Sequence, residues 1–193
     1  MLTRRHAVLL APAFVLAAGL AGAAAWVALR PEPAAPLIGG PFELVDGDGK
    51  TVTDQQFRGK WMLVYFGYTH CPDACPTALQ DMATALDLLG DKKRDVALVF
   101  ITVDPERDTP AVMKDYAGPF EAPIAALSGS LDAVARAARA YRVYYAKHPN
   151  KDGGYDMDHS SIIYLMDKQG RFAANFTHET PPGQIAAKLK GLM

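Results

Sequence analysis

Hydrophobic and polar positions alternate in three distinct ways along the chain. Residues 7–29 form an uncharged run preceded by Arg4, Arg5 and His6. That run meets the roughly 20 residues a helix needs to cross a bilayer, and the basic residues before it put its start on the cytoplasmic side. Two later runs, WMLVYFGY at 61–68 and VALVFITV at 96–103, are continuously apolar and rich in aromatic and β-branched residues. They predict central strands buried on both faces. Elsewhere the apolar positions recur at helical spacing. Leu79, Met82, Ala83, Leu86 and Leu89 predict an amphipathic helix over 76–89, opened by Pro76. Leu131, Val134, Ala135 and Ala138 predict another over 130–141, with Ser130 as its cap.

Shorter pieces complete the order. Residues 42–45 and 51–52 flank DGDGK and predict a hairpin. A helix over 110–116 follows a cap at Asp108 or Thr109, and 124–127 reads as a short strand. Residues 143–146 are expected to pair with a later segment across the Gly153-Gly154 turn. Residues 161–166 and 171–176 predict a hairpin closed by DKQG, and Thr180-Pro181-Pro182 starts a last helix with Ile185, Leu189 and Leu192 on its buried face. Strands and helices alternating in this way predict an α/β domain, a central mixed sheet flanked by helices, in the element order of a thioredoxin-like fold with an inserted helical crossover. The expected organisation is a cytoplasmic N-terminus over 1–6, a transmembrane anchor or signal segment over 7–29, a Pro-rich linker over 30–40 and the thioredoxin-like domain over 41–193. A cleaved secretory signal and a twin-arginine signal are the rival readings of the N-terminal run, and all three export the domain.

Composition narrows the partners. Of 193 residues, 21% are charged and the formal net charge is −1, so there is no basic footprint for nucleic acid. Two cysteines cannot make a disulfide framework. The fold must stand on its core, which frees the pair for chemistry.

Those cysteines, Cys71 and Cys75, lie in YFGYTHCPDACP at 65–76, directly after the first apolar strand. A strand-to-helix junction in an open α/β sheet is where ligands bind, and the N–H groups of the helix start favour thiolate over thiol. Dithiol redox catalysts usually carry two residues between their cysteines. Three residues open the turn so that both sulfurs can face one soft metal ion, and Pro72 and Pro76 stiffen it. A third ligand would raise affinity for copper as Cu(I) or Cu(II), since imidazole binds both.

His6 sits at the anchor, leaving His70, His148, His159 and His178 as candidates. His159 is favoured because YDMDHSSIIYLM places it just before a predicted strand on the same sheet edge, with Asp158 or Asp156 available to orient its ring. His70 reads as a loop hydrogen-bonding residue, and His148 and His178 as solvated. In VDPERDTP at 103–110, the charges read as capping and solvating a loop, with a partner-contacting rim as the alternative. Met157 draws notice as a thioether near His159 but reads first as core, as do Tyr65, Phe66 and Tyr68.

YFGYTHCPDACPTAL, VDPERDTP and the DHS triplet at 158–160, in this order, resemble the Sco/SenC family of copper chaperones, the likeness running from Pro41 to the end of the chain. The resemblance implies a membrane-anchored thioredoxin-like domain holding one copper through Cys71, Cys75 and His159. It implies an acceptor, subunit II of cytochrome c oxidase or another cuproprotein, to which copper is delivered or whose cysteines are reduced; the upstream donor stays open. With no Arg/Ser-rich transit peptide before the anchor, a bacterial inner-membrane protein facing the periplasm is expected. A metallochaperone need not be an enzyme. The alternative is a thiol-disulfide oxidoreductase using Cys71 and Cys75. A thiol peroxidase is disfavoured, because its P-x-x-x-T-x-x-C motif is missing.

Overall fold

The computed structural model describes residues 37–151 and 153–193. The expected cytoplasmic segment 1–6, the anchor 7–29 and the linker through residue 36 lie outside them. Among the described residues no helix is long and apolar enough to cross a membrane.

The two apolar runs become the two inner strands. β1 (Glu43–Val45) and β2 (Thr51–Thr53) form the expected hairpin, and β3 (Trp61–Gly67) follows. Next come α1 (Ala74–Asp87), β4 (Val96–Thr102), α2 (Pro110–Ala117), β5 (Ile124–Leu127) and α3 (Leu131–Ala140). A second hairpin, β6 (Tyr145–Pro149) with β7 (Tyr155–His159), precedes β8 (Ile162–Met166), β9 (Phe172–Thr177) and α4 (Pro182–Leu192). β5, β4, β3, β8 and β9 lie side by side in that order. β3 is parallel to β4 and β4 to β5, whereas β8 runs antiparallel to β3 and to β9. This mixed sheet is thioredoxin-like.

β3 explains why the sheet holds. All seven of its residues are buried, and it is laddered on both sides, Tyr65 pairing with Phe100 of β4 and with Ile163 of β8. Alternate side chains feed two core layers. On one face Phe66 packs on Tyr141 and Tyr164, at ring separations of 5.3 and 6.4 Å. On the other, Tyr65 stacks on Phe100 at 6.3 Å and Phe100 meets Tyr116 of α2 at 5.8 Å. α1 and α4 pack against each other.

Three expectations shift. α1 begins at Ala74, two residues before Pro76. A proline is tolerated anywhere in a first turn, because its missing N–H would have no partner there. β6 occupies Tyr145–Pro149 rather than 143–146; His159, just ahead of β8 as expected, also closes β7. The 103–110 loop is not simply solvated: Asp104 and Asp108 are 2% and 0% exposed. As expected, Thr109 caps α2 by accepting from the Val112 N–H at 3.4 Å, and Ser130 caps α3 by accepting from Ala133 at 3.2 Å.

Candidate metal centre

β3 ends at Gly67, and the chain turns through 68–73 into α1, so both cysteines sit at the edge where the parallel strands point. Cys75 lies inside the first helical turn and is fully buried, while Cys71 lies outside it and is half-buried. An N–H at a helix start has no carbonyl of its own to meet. The Cys75 N–H points instead at Cys71 Sγ, 3.4 Å away. Gly67 makes room for the other sulfur. A Cβ at that position would stand 2.6 Å from Cys75 Sγ and 3.1 Å from the Phe100 ring, so only glycine fits.

His159 enters from the β6–β7 hairpin, where it pairs with Tyr145. Its Nε2 lies 3.5 Å from Cys75 Sγ, and the two sulfurs and a ring nitrogen all fall within 4.8 Å of one another. The opposite nitrogen, Nδ1, faces the Ser160 carbonyl at 3.3 Å, an arrangement that leaves Nε2 free to donate its lone pair to a metal. Two aromatic rings hold the imidazole edge-on: Tyr65 at 6.0 Å and Tyr68 at 5.7 Å, with interplanar angles of 81° and 87°. The Tyr65 hydroxyl also reaches Cys75 Sγ at 4.0 Å. Burial above all pushes the Tyr65 phenol up, so it remains a donor.

Their proximity moves the two thiols in opposite directions. A hydrogen bond from Cys75 holds the Cys71 thiol far below the ordinary thiol range; partial burial opposes this, and His159 and the N–H groups of Cys75 and Asp73 support it. The same hydrogen bond, followed by burial, pushes Cys75 up. The contact thus favours the thiolate at Cys71 and the thiol at Cys75, and the two titrate as a unit. With both protons lost, two thiolates and an imidazole make a soft, three-donor set that leaves a coordination position open.

The remaining candidates are placed elsewhere. His70 is exposed, its Nδ1 3.1 Å from Thr69 Oγ1 and 3.9 Å from Asp108, in keeping with a loop role. His148 does not stand alone in solvent but pairs with Asp158 at 2.9 Å. That contact corrects the orienting role expected of Asp158: the strand pleat puts Asp156 and Asp158 on the face of β7 opposite His159. His178 lies beyond β9, its N–H bonded to the Ser161 carbonyl at 3.3 Å. Met157 is 7% exposed and belongs to the core. From the chain alone Tyr65 and Tyr68 read as packing residues, and Gly67 is not singled out. A glycine closing an otherwise bulky apolar run was the one available signal.

A family model described as SCO1/SenC matches residues 30–193. The chain is 40% identical over 157 residues to the human "Protein SCO1 homolog, mitochondrial", an alignment covering 80% of this chain and 52% of that protein. It thus spans about half the length of that relative. Among solved structures, copper-bound ScoI of Bradyrhizobium japonicum superposes with a TM-score of 0.75 at 49% identity, covering 81% of this chain and 99% of that one. A structure of BsSco, described as revealing a disulfide switch in a member of the Sco family of cytochrome c oxidase assembly proteins, superposes with a TM-score of 0.65 at 25% identity, covering 83% and 97%. With the fold, the CPDAC turn and the family match in agreement, this chain belongs to the SCO1/SenC family.

Proposed function

We propose that the chain carries one copper ion on Cys71 Sγ, Cys75 Sγ and His159 Nε2 and passes it to a cuproprotein acceptor, the dinuclear copper site of cytochrome c oxidase subunit II. The observation that carries this reading is the convergence of those three donors within 4.8 Å. Thiolate and imidazole together suit copper in either oxidation state, and the similar Bradyrhizobium protein is known with copper bound. Three donors with an open side permit transfer by stepwise ligand exchange. His159, on a peripheral hairpin, is the donor best placed to let go first. The uncharged run at 7–29 anchors the domain to the bacterial inner membrane, facing the periplasm.

The unequal thiol pair favours a second reading, reduction of the acceptor's cysteines. The Cys71 thiolate attacks one sulfur of a partner disulfide, forming a mixed disulfide and expelling the partner's second thiolate, which takes the Cys75 proton. Cys75 then attacks Cys71 Sγ and releases the partner's first thiolate. Two electrons pass to the partner and a Cys71–Cys75 disulfide remains.

The deciding test is copper titration of the full chain, with Cys71→Ser, Cys75→Ser and His159→Ala alongside. Each variant is expected to weaken binding and disturb the thiolate-to-copper charge-transfer band. A His159→Ala chain with full copper affinity and full oxidase assembly would overturn the delivery reading and leave thiol reduction.

A further inference from the structure

The 103–110 loop supplies no ligand, yet both halves of the site are tied to it. Asp108 faces the thiol half. Its carboxylate, 0% exposed, accepts from the Thr69 N–H at 3.0 Å, the Thr69 hydroxyl at 2.6 Å and the Thr102 hydroxyl at 2.6 Å, with His70 Nδ1 at 3.9 Å. A carboxylate taken wholly out of water needs such donors. Two of the three come from Thr69, which stands two residues before Cys71.

Arg107 faces the imidazole half. Its Nε donates to the buried Asp104 carboxylate, and its Nη1 donates to the Tyr155 carbonyl at 3.0 Å. Its guanidinium lies 3.8 Å from the Tyr155 ring centroid and 5.8 Å from that of Tyr68. The Tyr155 hydroxyl closes the clamp on Asp104 at 2.9 Å. From Tyr155 the pleat leads along one face of β7 through Met157 to His159. Tyr68 meets the end of that face, standing edge-on to His159.

The hairpin needs such a grip. β6 and β7 form a two-stranded sheet of their own, and an isolated pair of strands is marginal in water. Consecutive Cα atoms are about 3.8 Å apart, so Arg107 and Asp108 hold the two halves at nearly one point.

We propose that the 103–110 loop sets the spacing between thiols and imidazole, with Arg107 the positioning residue for His159 and Asp108 the positioning residue for the cysteine turn. This inference rests on the copper reading for its metal-bound consequence but not for its structural one.

The test uses the full chain in detergent. In the copper-free form, contacts between the His159 and Tyr68 rings are followed by the nuclear Overhauser effect. In the Cu(II) form, imidazole ligation is read from nitrogen hyperfine coupling and thiolate ligation from the charge-transfer band. Arg107→Met is expected to lose the ring contacts and the nitrogen coupling, keep the thiolate band and bind copper about 10- to 100-fold more weakly. Arg107→Lys, which keeps the charge but not the planar fork, falls between. Asp108→Asn is expected to shift the thiolate band and leave the ring contacts in place. Tyr155→Leu removes the Arg107 grip from the other side and serves if Arg107→Met does not fold. Ring contacts and nitrogen coupling unchanged in Arg107→Met overturn the proposal, as do both loop variants disturbing both signatures alike. If the wild type takes up no copper while Arg107→Met still loses the ring contacts, the positioning role stands and the copper reading falls.

Discussion

The two sources of the candidate metal donors differ in kind. β3, which leads into the cysteine turn, is laddered on both sides, and its Leu63, Val64, Tyr65 and Phe66 are all 0% exposed. β7, which ends in His159, pairs only with β6, and two of its five residues, Asp156 and Asp158, face solvent. A strand in the first situation opens only with the whole domain, whereas a peripheral hairpin opens at far lower cost. The two candidate sulfur donors thus follow directly from an interior strand of the sheet, and the third candidate donor stands on a separate hairpin. That asymmetry is what the proposed carrier role calls for, an ion held and then released.

The contrast breaks most visibly at Phe66. Replacing it with Ala removes the ring packed on Tyr141 and Tyr164. The expected cost is about 3–5 kcal/mol, read as a lowered midpoint in denaturant unfolding. A loss under about 1 kcal/mol would show that β3 is not the rigid frame. A smaller and more local effect is expected of Gly67→Ala, whose new Cβ would press on Cys75 Sγ from 2.6 Å. About 1–3 kcal/mol of stability should go, together with stoichiometric copper uptake. A full copper titre in that variant would mean the close approach of strand and sulfur is dispensable. The least effect is expected on the outer face of the hairpin, where His148→Ala breaks the exposed pair with Asp158. Thermal unfolding should move by no more than about 0.5 kcal/mol and copper affinity not at all. A drop in affinity would instead place that face within the site's support.

Most of the sheet was legible in the chain, because β3 and β4 are unbroken apolar runs and burial on both faces leaves that mark. The cysteine turn was legible for a different reason: two thiols at fixed spacing after a strand have few uses. Placing the β6–β7 hairpin was harder. YAKHP is polar, ends in proline and has no buried face of its own, so its pattern carries little strand signal. The support of His159 was hidden as well. The nearby Asp158 looked like the ring's partner, whereas the residues that approach the ring are Tyr65 and Tyr68, more than ninety positions earlier in the chain. The two aspartates buried in the 103–110 loop were read as solvated, because sequence shows a charge but not the donors that fold around it.

The contact between Cys75 Sγ and His159 Nε2 spans 84 positions of chain. Closing a loop of that length costs more chain entropy than closing the short turn that separates the two sulfurs. A chain that has made α1 but not yet docked its hairpin owns a dithiol and no imidazole. The full candidate donor set therefore exists only in the folded domain, and a chain holding the cysteine turn alone lacks its imidazole.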